Sequence, residues 1–393
     1  MRVLVTNGDT RPALAITRSL GRQGHEVIVA AERHPSLASA SRFCAGRETY
    51  PAPDQGGDAF VRAIADIAAR RQVGLLLPVT EIATTLIAEN RHLLPTGCAL
   101  PLPATEALRI ANDKSKVLAL AVELGIPVPR TVTIASKPQA AVPIGMNYPI
   151  VIKPARSRVQ TASGWLSAGV DYAADADELR RKLENLPAEL FPVLLQERIV
   201  GPGVGVFACY QEGRRVALFS HRRLREKPPS GGVSVLSESV PLDAQASAHA
   251  ERLLSRLHWH GVAMVEFKRD DRDGSLRLME INGRFWGSLQ LAIDADVDFP
   301  GLIARMAMGE TVDPVLSYRV GVRTRWFLGD LDALLAILTR SPARLHLPAG
   351  HPGRLRSLWR VLRPWQAEQH NEVMRSDDRG PGWLEIRQWL AGR

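Results

Sequence analysis

The chain of 393 residues is 45% hydrophobic and 23% charged, with 31 Gly and 27 Pro; this excludes the disordered and fibrous classes and leaves room for two or three globular domains. Lys and Arg number 50 against 41 Asp and Glu, a formal charge of +9. That balance suits anionic partners such as nucleotides or phospholipid, but the cations are dispersed and no zinc-finger, helix-turn-helix or RNP signature accompanies them, so nucleic acid is not expected as a partner. Cys44, Cys98 and Cys209 are odd in number and far apart, which argues against a disulfide framework or zinc site and for a reducing, cytoplasmic setting in a bacterial cell. The N-terminal apolar run is too short for a signal segment, and no stretch approaches the ~20 uncharged residues of a membrane-spanning helix, so a soluble protein is expected.

Residues 1–100 alternate strand and helix patterns. Residues 2–6 read as a short apolar strand, 12–23 as a helix closed by Gly24, 27–31 as a strand, 58–71 as an amphipathic helix and 74–79 as a buried strand. This βαβ rhythm predicts a parallel sheet with helices on both faces. Its first turn, NGDTRPA, lacks GxGxxG, so dinucleotide binding is not supported. Ligands in such sheets lie beyond the strand ends, which brings in Asn7, Thr10, Arg11, Thr80 and Glu81; ordinary turn and capping roles account for them equally.

A Pro-rich joint at 94–103 marks the first boundary. Beyond it the spacing predicts a helix over 105–124 carrying NDKSK at 112–116, a strand over 149–154 containing Lys153, a polar loop over 155–164, a helix near 175–186 and a strand over 193–197. The glycine-rich 201–205 leads into strands at 206–211 and 215–220, a helix at 244–257 and, after a hairpin, a closing helix at 296–309.

The hairpin is the most informative stretch: GVAMVEFKRDDRDGSLRLMEINGRFWGS, residues 261–288. Asp273-Gly274 predicts a three-residue turn with Gly274 left-handed, and that register sets Glu266 opposite Glu280. Strand period two puts Asn282 on the face of Glu280, with Val265, Phe267 and Ile281 pointing the other way into a core. Facing like charges are destabilising unless a cation lies between them, and two carboxylates with an amide oxygen are hard ligands suited to magnesium. Lys153, one of only seven lysines, stands beside a loop with Ser157, Ser163 and Gly164, the pattern of a phosphate grip.

These motifs resemble the ATP-grasp superfamily of carboxylate–amine ligases, in its branch like the large subunit of carbamoyl-phosphate synthase. The resemblance rests on NDKSK around Lys114, VIKP with Lys153, LLQERIVGPG at 194–203, VEFK at Glu266 and MEINGRFWGS at 279–288, in the family's order over residues 1–312. It implies an α/β protein, α+β in the lid: a parallel-sheet pre-ATP-grasp domain over 1–103, a linker helix and lid over 104–195, a magnesium-bearing antiparallel-sheet domain over 196–312 and a helical, basic extension over 313–393. It further implies ATP and two magnesium ions, with manganese as a substitute. Lys114 and Lys153 would hold the phosphates and the loop around Ser163 and Gly164 would close over them. The side-chain oxygen of Gln196 would meet the adenine amino group, with the backbones of Glu197 and Ile199 completing the hinge. Glu266, Glu280 and Asn282 would ligate the metal and Arg284 would stabilise an acyl-phosphate. Gly203 stands where many members carry a ribose-binding glutamate, so ribose recognition would come from elsewhere.

Pro228, Pro229, Gly231 and Gly232 predict that residues 220–239 form a loop over the site. Its cations Arg222, Arg223, Arg225 and Lys227 would neutralise the transferred phosphoryl group or clamp an acidic substrate, with a solvated basic turn as the alternative. Trp286 is either core or a substrate platform, and His221 either packed or catalytic. Between Asp332 and Glu368 there are six arginines and no acidic residue, and 351–365 interleaves Leu355, Leu358, Trp359, Leu362 and Trp365 with them. A helix docked on the protein's own core, one lying on an anionic membrane and a homodimer contact all fit this pattern.

The expected activity joins a small-molecule carboxylate to an amine through an acyl-phosphate, releasing ADP and phosphate. Bicarbonate as the activated acid, in carboxylase or carbamoyl-phosphate chemistry, is one alternative; a nucleotide-binding protein without catalysis is another.

Overall fold

In the computed structural model, residues 1–392 are described apart from 138–144, 162–163, 168, 230, 342–344, 346, 348–350 and 364–367. The N-terminal sheet is parallel, in the order Cys44–Thr49, Glu26–Ala31, Arg2–Val5, Leu75–Leu77. Its inner strands are continuous apolar runs because helices cover both faces. The first helix, Arg11–Arg22, begins where Thr10 accepts a hydrogen bond from the Ala13 amide and Pro12 fills the first turn. Two elements escape the sequence reading: the edge strand Cys44–Thr49, whose CAGRET has no apolar run, and the helix Glu81–Glu89, capped by Thr80.

The helix expected over 105–124 is two helices, Thr105–Ala111 and Lys114–Glu123. The break is chemical: the Asp113 carboxylate accepts from the amides of Ser115 and Lys116 and starts a new helix at Lys114. An antiparallel sheet follows, in the order Thr131–Ile134, Val193–Glu197, Ile150–Pro154, Asp171–Ala173. The polar loop expected over 155–164 instead contains strand Arg158–Thr161, which pairs with Gly164–Ser167 as a small hairpin.

The next sheet runs Arg214–Phe219, Gly203–Gln211, Gly261–Arg269, Leu276–Asn282. Gly201 precedes it at φ +144°, where a Cβ would lie 1.9 Å from the Arg269 carbonyl oxygen, so the approach of these two backbones requires glycine. The stretch 220–239 is not a loop: His221–Lys227 pairs antiparallel with Val233–Ser239, and the prolines and glycines are confined to the turn. The C-terminal extension is also more than helical. Its strand Arg323–Arg325 joins Val233–Ser239, Gln369–Asn371 adds in parallel, and helices Phe327–Thr339, Arg354–Leu362 and Gly380–Ala391 pack around them.

One core joins the first domain to the sheet containing Gly203–Gln211 and Gly261–Arg269: Val3, Leu14 and Leu77 share it with Phe207, Trp286 and Phe299. Each such side chain contributes about 1.5–3 kcal/mol by leaving water, which fixes the first domain against the sheet carrying Glu266 and Glu280. Among the described residues, no helix is long and apolar enough to cross a membrane.

Candidate active site

Glu266 stands opposite Glu280 and Met264 opposite Asn282. The turn supports this register by an indirect route. Asp270 and Ser275 close a four-residue loop through an amide-to-carbonyl bond of 2.8 Å, with Gly274 at φ +70°, and the pairing then slips by one residue between Glu266 and Phe267. The longer loop and the bulge cancel, leaving the two carboxylates face to face. Val265, Phe267 and Ile281 are buried on the other side.

Glu280 lines a recess, and the carboxylates of Glu266 and Glu280 remain 27% and 32% exposed, each met by a cation. Arg223 Nη2 lies 3.2 Å from Glu266 Oε1, and Lys114 Nζ lies 3.6 Å from Glu280 Oε2. A chain of donors continues from Arg284 Nη2 to Asn282 Oδ1 at 3.3 Å and from Asn282 Nδ2 to Glu280 Oε1 at 3.1 Å. Burial and the facing Glu280 push the Glu266 carboxyl above its ordinary range. Burial also acts to raise Glu280, but Lys114, the Asn282 hydrogen bond, Lys153 and Arg284 outweigh it and hold this carboxyl low.

Lys114 is placed by its own helix start: its amide donates to Ala155 O at 2.8 Å and its Nζ to Ser157 Oγ at 2.7 Å. Lys153 is on the strand Ile150–Pro154, opposite Leu194. Its Nζ donates to Gln196 Oε1 at 2.9 Å, and burial pulls its pKa down to about 8 despite the opposing charge of Glu280.

The expected adenine contact meets a competing bond here. Gln196 is buried, its side-chain oxygen accepts the hydrogen bond from Lys153 Nζ and its Nε2 donates to Thr131 Oγ1 at 3.0 Å. Glu197 receives Arg130 N at 2.9 Å and Arg272 Nη2 at 3.3 Å. The carbonyl of Ile199 accepts from Lys268 Nζ at 3.2 Å, a neighbour the sequence reading missed although VEFK contains it. Gly164 opens the second strand of the small hairpin at φ +123°; Ser163 lies outside the described residues.

Other expected site residues separate into two groups. Arg223 and Glu81 converge on the site, Arg223 through Glu266 and Glu81 as a wall of the same recess as Glu280, Asn282 and Arg284. Arg222 is turned to Glu238, with Nε to Oε2 at 2.6 Å, and Arg323 Nε holds the other oxygen at 2.7 Å. Arg11 is paired with the buried Glu372, and its guanidinium lies 4.2 Å over the Trp326 ring. Thr80 is a helix cap, and Trp286 is core, 4.7 Å from Phe207 and 5.0 Å from Phe299. His221 is packed: buried and stacked on Phe207, its Nε2 2.7 Å from Ser288 Oγ.

The recess is open to solvent. A second recess shares Glu81 and Asn112 with it and continues to Arg156, Arg158 and Trp165 beneath the small hairpin. Together they form a cleft from Glu280 toward the small hairpin.

The comparisons with known proteins agree with this architecture. Residues 189–328 match a family model described as ATP-grasp in the biosynthetic pathway with Ter operon. An L-amino acid ligase from Bacillus licheniformis has a similar structure, with TM-score 0.58 and 15% identity over 79% of this chain and 75% of that one. So does a biotin carboxylase complexed with a β,γ-ATP ligand from Campylobacter jejuni, with TM-score 0.64 and 16% identity over 82% and 74% of the two chains. N5-carboxyaminoimidazole synthetase from Staphylococcus aureus, complexed with ADP, gives 0.62 and 13% over 82% and 80%. No curated protein matches by sequence. The fold is therefore that of the ATP-grasp proteins. The residues that match the family model, 189–328, bear the Glu266–Glu280 pair.

Proposed function

We propose that this protein is a cytoplasmic ATP-dependent ligase that activates a small carboxylate as an acyl-phosphate and joins it to an amine. The observation that carries this reading is the convergence of Lys114, Arg284, Glu280 and Asn282 on one recess. Those residues pair hard oxygen ligands with cations, the set that nucleotide phosphates with divalent metal require. Glu266, Glu280 and Asn282 would hold two magnesium ions, or manganese, which when bound neutralise charge on the β- and γ-phosphates. Arg223 and Lys114 now neutralise those carboxylates and would be released to the phosphates.

The substrate carboxylate oxygen attacks the γ-phosphorus as its bond to ADP breaks. Lys114 and Lys153 spread the phosphate charge, and Arg284, turning from its present contacts, holds the acyl-phosphate. The amine nitrogen then attacks the acyl carbon, loses a proton, and phosphate leaves with the electron pair of the C–O bond. Glu81, which lines the same recess, would hold the substrate ammonium and take a proton from it before the nitrogen attacks. The small hairpin that roofs the cleft would exclude water, because a free acyl-phosphate hydrolyses.

Glu280→Gln and Lys153→Ala test this directly. Both are expected to lose ADP release while melting like the parent chain; ADP release at the parental rate in both would remove the assignment. The likeness to biotin carboxylase and to N5-carboxyaminoimidazole synthetase favours a second reading, with bicarbonate as the activated acid. ADP release stimulated by bicarbonate alone, and by no amino acid or carboxylate, would select it.

A further inference from the structure

Helix Arg354–Leu362 docks on the protein by a narrow side only. Ser357 and Val361 are buried, the Val361 carbonyl accepts from Arg325 Nη2 at 2.8 Å, and Arg354 Nη2 donates to Arg340 O at 3.2 Å. Its other side carries Leu355, Trp359 and Leu362, which are 84%, 62% and 69% exposed. Their i, i+4, i+7 spacing sets them in one sector of roughly 60°, so they form a stripe rather than scattered surface leucines. Arg356, Arg360 and Arg363 are exposed in the adjoining sector, and the Arg363 guanidinium lies 5.4 Å over the Trp359 ring. Residues 333–367 contain six arginines and no Asp or Glu.

We propose that this helix seats the protein on an anionic membrane surface. The apolar stripe would enter the headgroup and acyl boundary, Trp359 would sit at the interface that favours an amphipathic ring, and the arginine edge would reach lipid phosphates. Charge decides the occupant. A second copy packed stripe to stripe would bring two arginine edges together without a carboxylate from this stretch between them, whereas an anionic leaflet neutralises them. The proposal stands independently of the reaction assigned above, because no residue of the helix lines the cleft.

The full chain is mixed with vesicles of phosphatidylcholine, or with vesicles in which a third of that lipid is phosphatidylglycerol, and pelleted. Binding is expected to the anionic vesicles, to be reversed by salt, and to be absent with neutral ones. The triple change Leu355→Gln, Trp359→Gln, Leu362→Gln is expected to abolish it, and Arg356→Glu with Arg360→Glu to weaken it roughly tenfold or more. These side chains are exposed, so the melting temperature and ADP release of the variants should match the parent. Failure to pellet with anionic vesicles, or pelleting that neither set of substitutions alters, overturns the proposal. So does a lipid-free dimer in sedimentation velocity that the triple variant dissolves, which would assign the stripe to a second copy.

Discussion

Arg18 and Asp378, 360 positions apart, meet as a fully buried ion pair in which Arg18 Nε donates to Asp378 Oδ2 at 2.8 Å and both side chains are 1% exposed. Nothing about the pair is left unsatisfied. Arg18 also donates to the carbonyls of Glu372, Val373 and Asp378, and the Asp378 carboxylate receives Ser41 Oγ at 2.7 Å and Arg42 N at 2.9 Å. This network fastens the C-terminal extension to the first helix of the molecule.

Removing one partner of such a pair strands a charge in the interior and costs about 3–5 kcal/mol. Asp378→Ala is therefore expected to lower the melting temperature by several degrees or more and to open the extension to proteolysis. Its neighbour Asp377 pairs with Arg22 at the surface, where screening leaves an ion pair worth at most about 1 kcal/mol, so Asp377→Ala should leave the melt nearly unchanged. Equal melts for the two variants would show that the extension does not depend on the buried pair.

Lys153 gives a pH dependence with a definite sign. Burial lowers its pKa to about 8, below the ordinary lysine value of an unfolded chain. Between those two values the unfolded chain binds more protons, so this residue makes folding stability rise with pH there. Phosphate binding needs the cation, so nucleotide affinity should move the other way, falling as pH rises through about 8 by no more than about tenfold per pH unit. Lys153→Arg, charged throughout, should flatten that limb. Calorimetric titration of ATP between neutral pH and pH 9.5 reads both; an affinity that stays level in the parent chain removes Lys153 from the phosphate site.

Trp286 separates packing from binding. As a buried ring against Phe207 and Phe299, it should cost about 3–5 kcal/mol when changed to Ala. Trp286→Phe should recover most of that loss and keep the KM for both substrates. A raised KM in the Phe variant, with an unchanged melt, would return Trp286 to the substrate surface.

The contrast between Trp286 and Glu280 shows what the sequence makes legible. Glu266, Glu280 and Asn282 could be placed on one face because strand period and turn chemistry are local rules, and two local errors in loop length and bulge cancelled. The parallel sheet was legible for the same reason, through apolar runs of strand length. The ion pair of Arg11 could not be read, because its partner Glu372 lies 361 positions away and the intervening chain carries no signal of the contact. Nor could the pairing of residues 221–227 with 233–239 survive an argument from Pro and Gly, since those residues occupy only the turn while the flanking cations are fixed by Glu238, Asp330 and Asp332.

Asp113 is the residue whose local signal was available and passed over: Asn-Asp before an apolar helix is a helix start. Its carboxylate caps the helix that presents Lys114, and Arg156 Nε lies 3.7 Å away. Asp113→Ala should cost about 1 kcal/mol of stability through the lost cap. ADP release should fall further than that cost explains, on the order of tenfold, because the Lys114 ammonium would no longer be held against Ser157 and Glu280 in the geometry phosphate needs. Asp113→Asn keeps a capping oxygen and should retain most of both. Thermal melts alongside ADP-release assays distinguish the effects: if the Ala variant turns over like the parent after correction for its folded fraction, the cap supports the helix alone and Lys114 is positioned by other contacts.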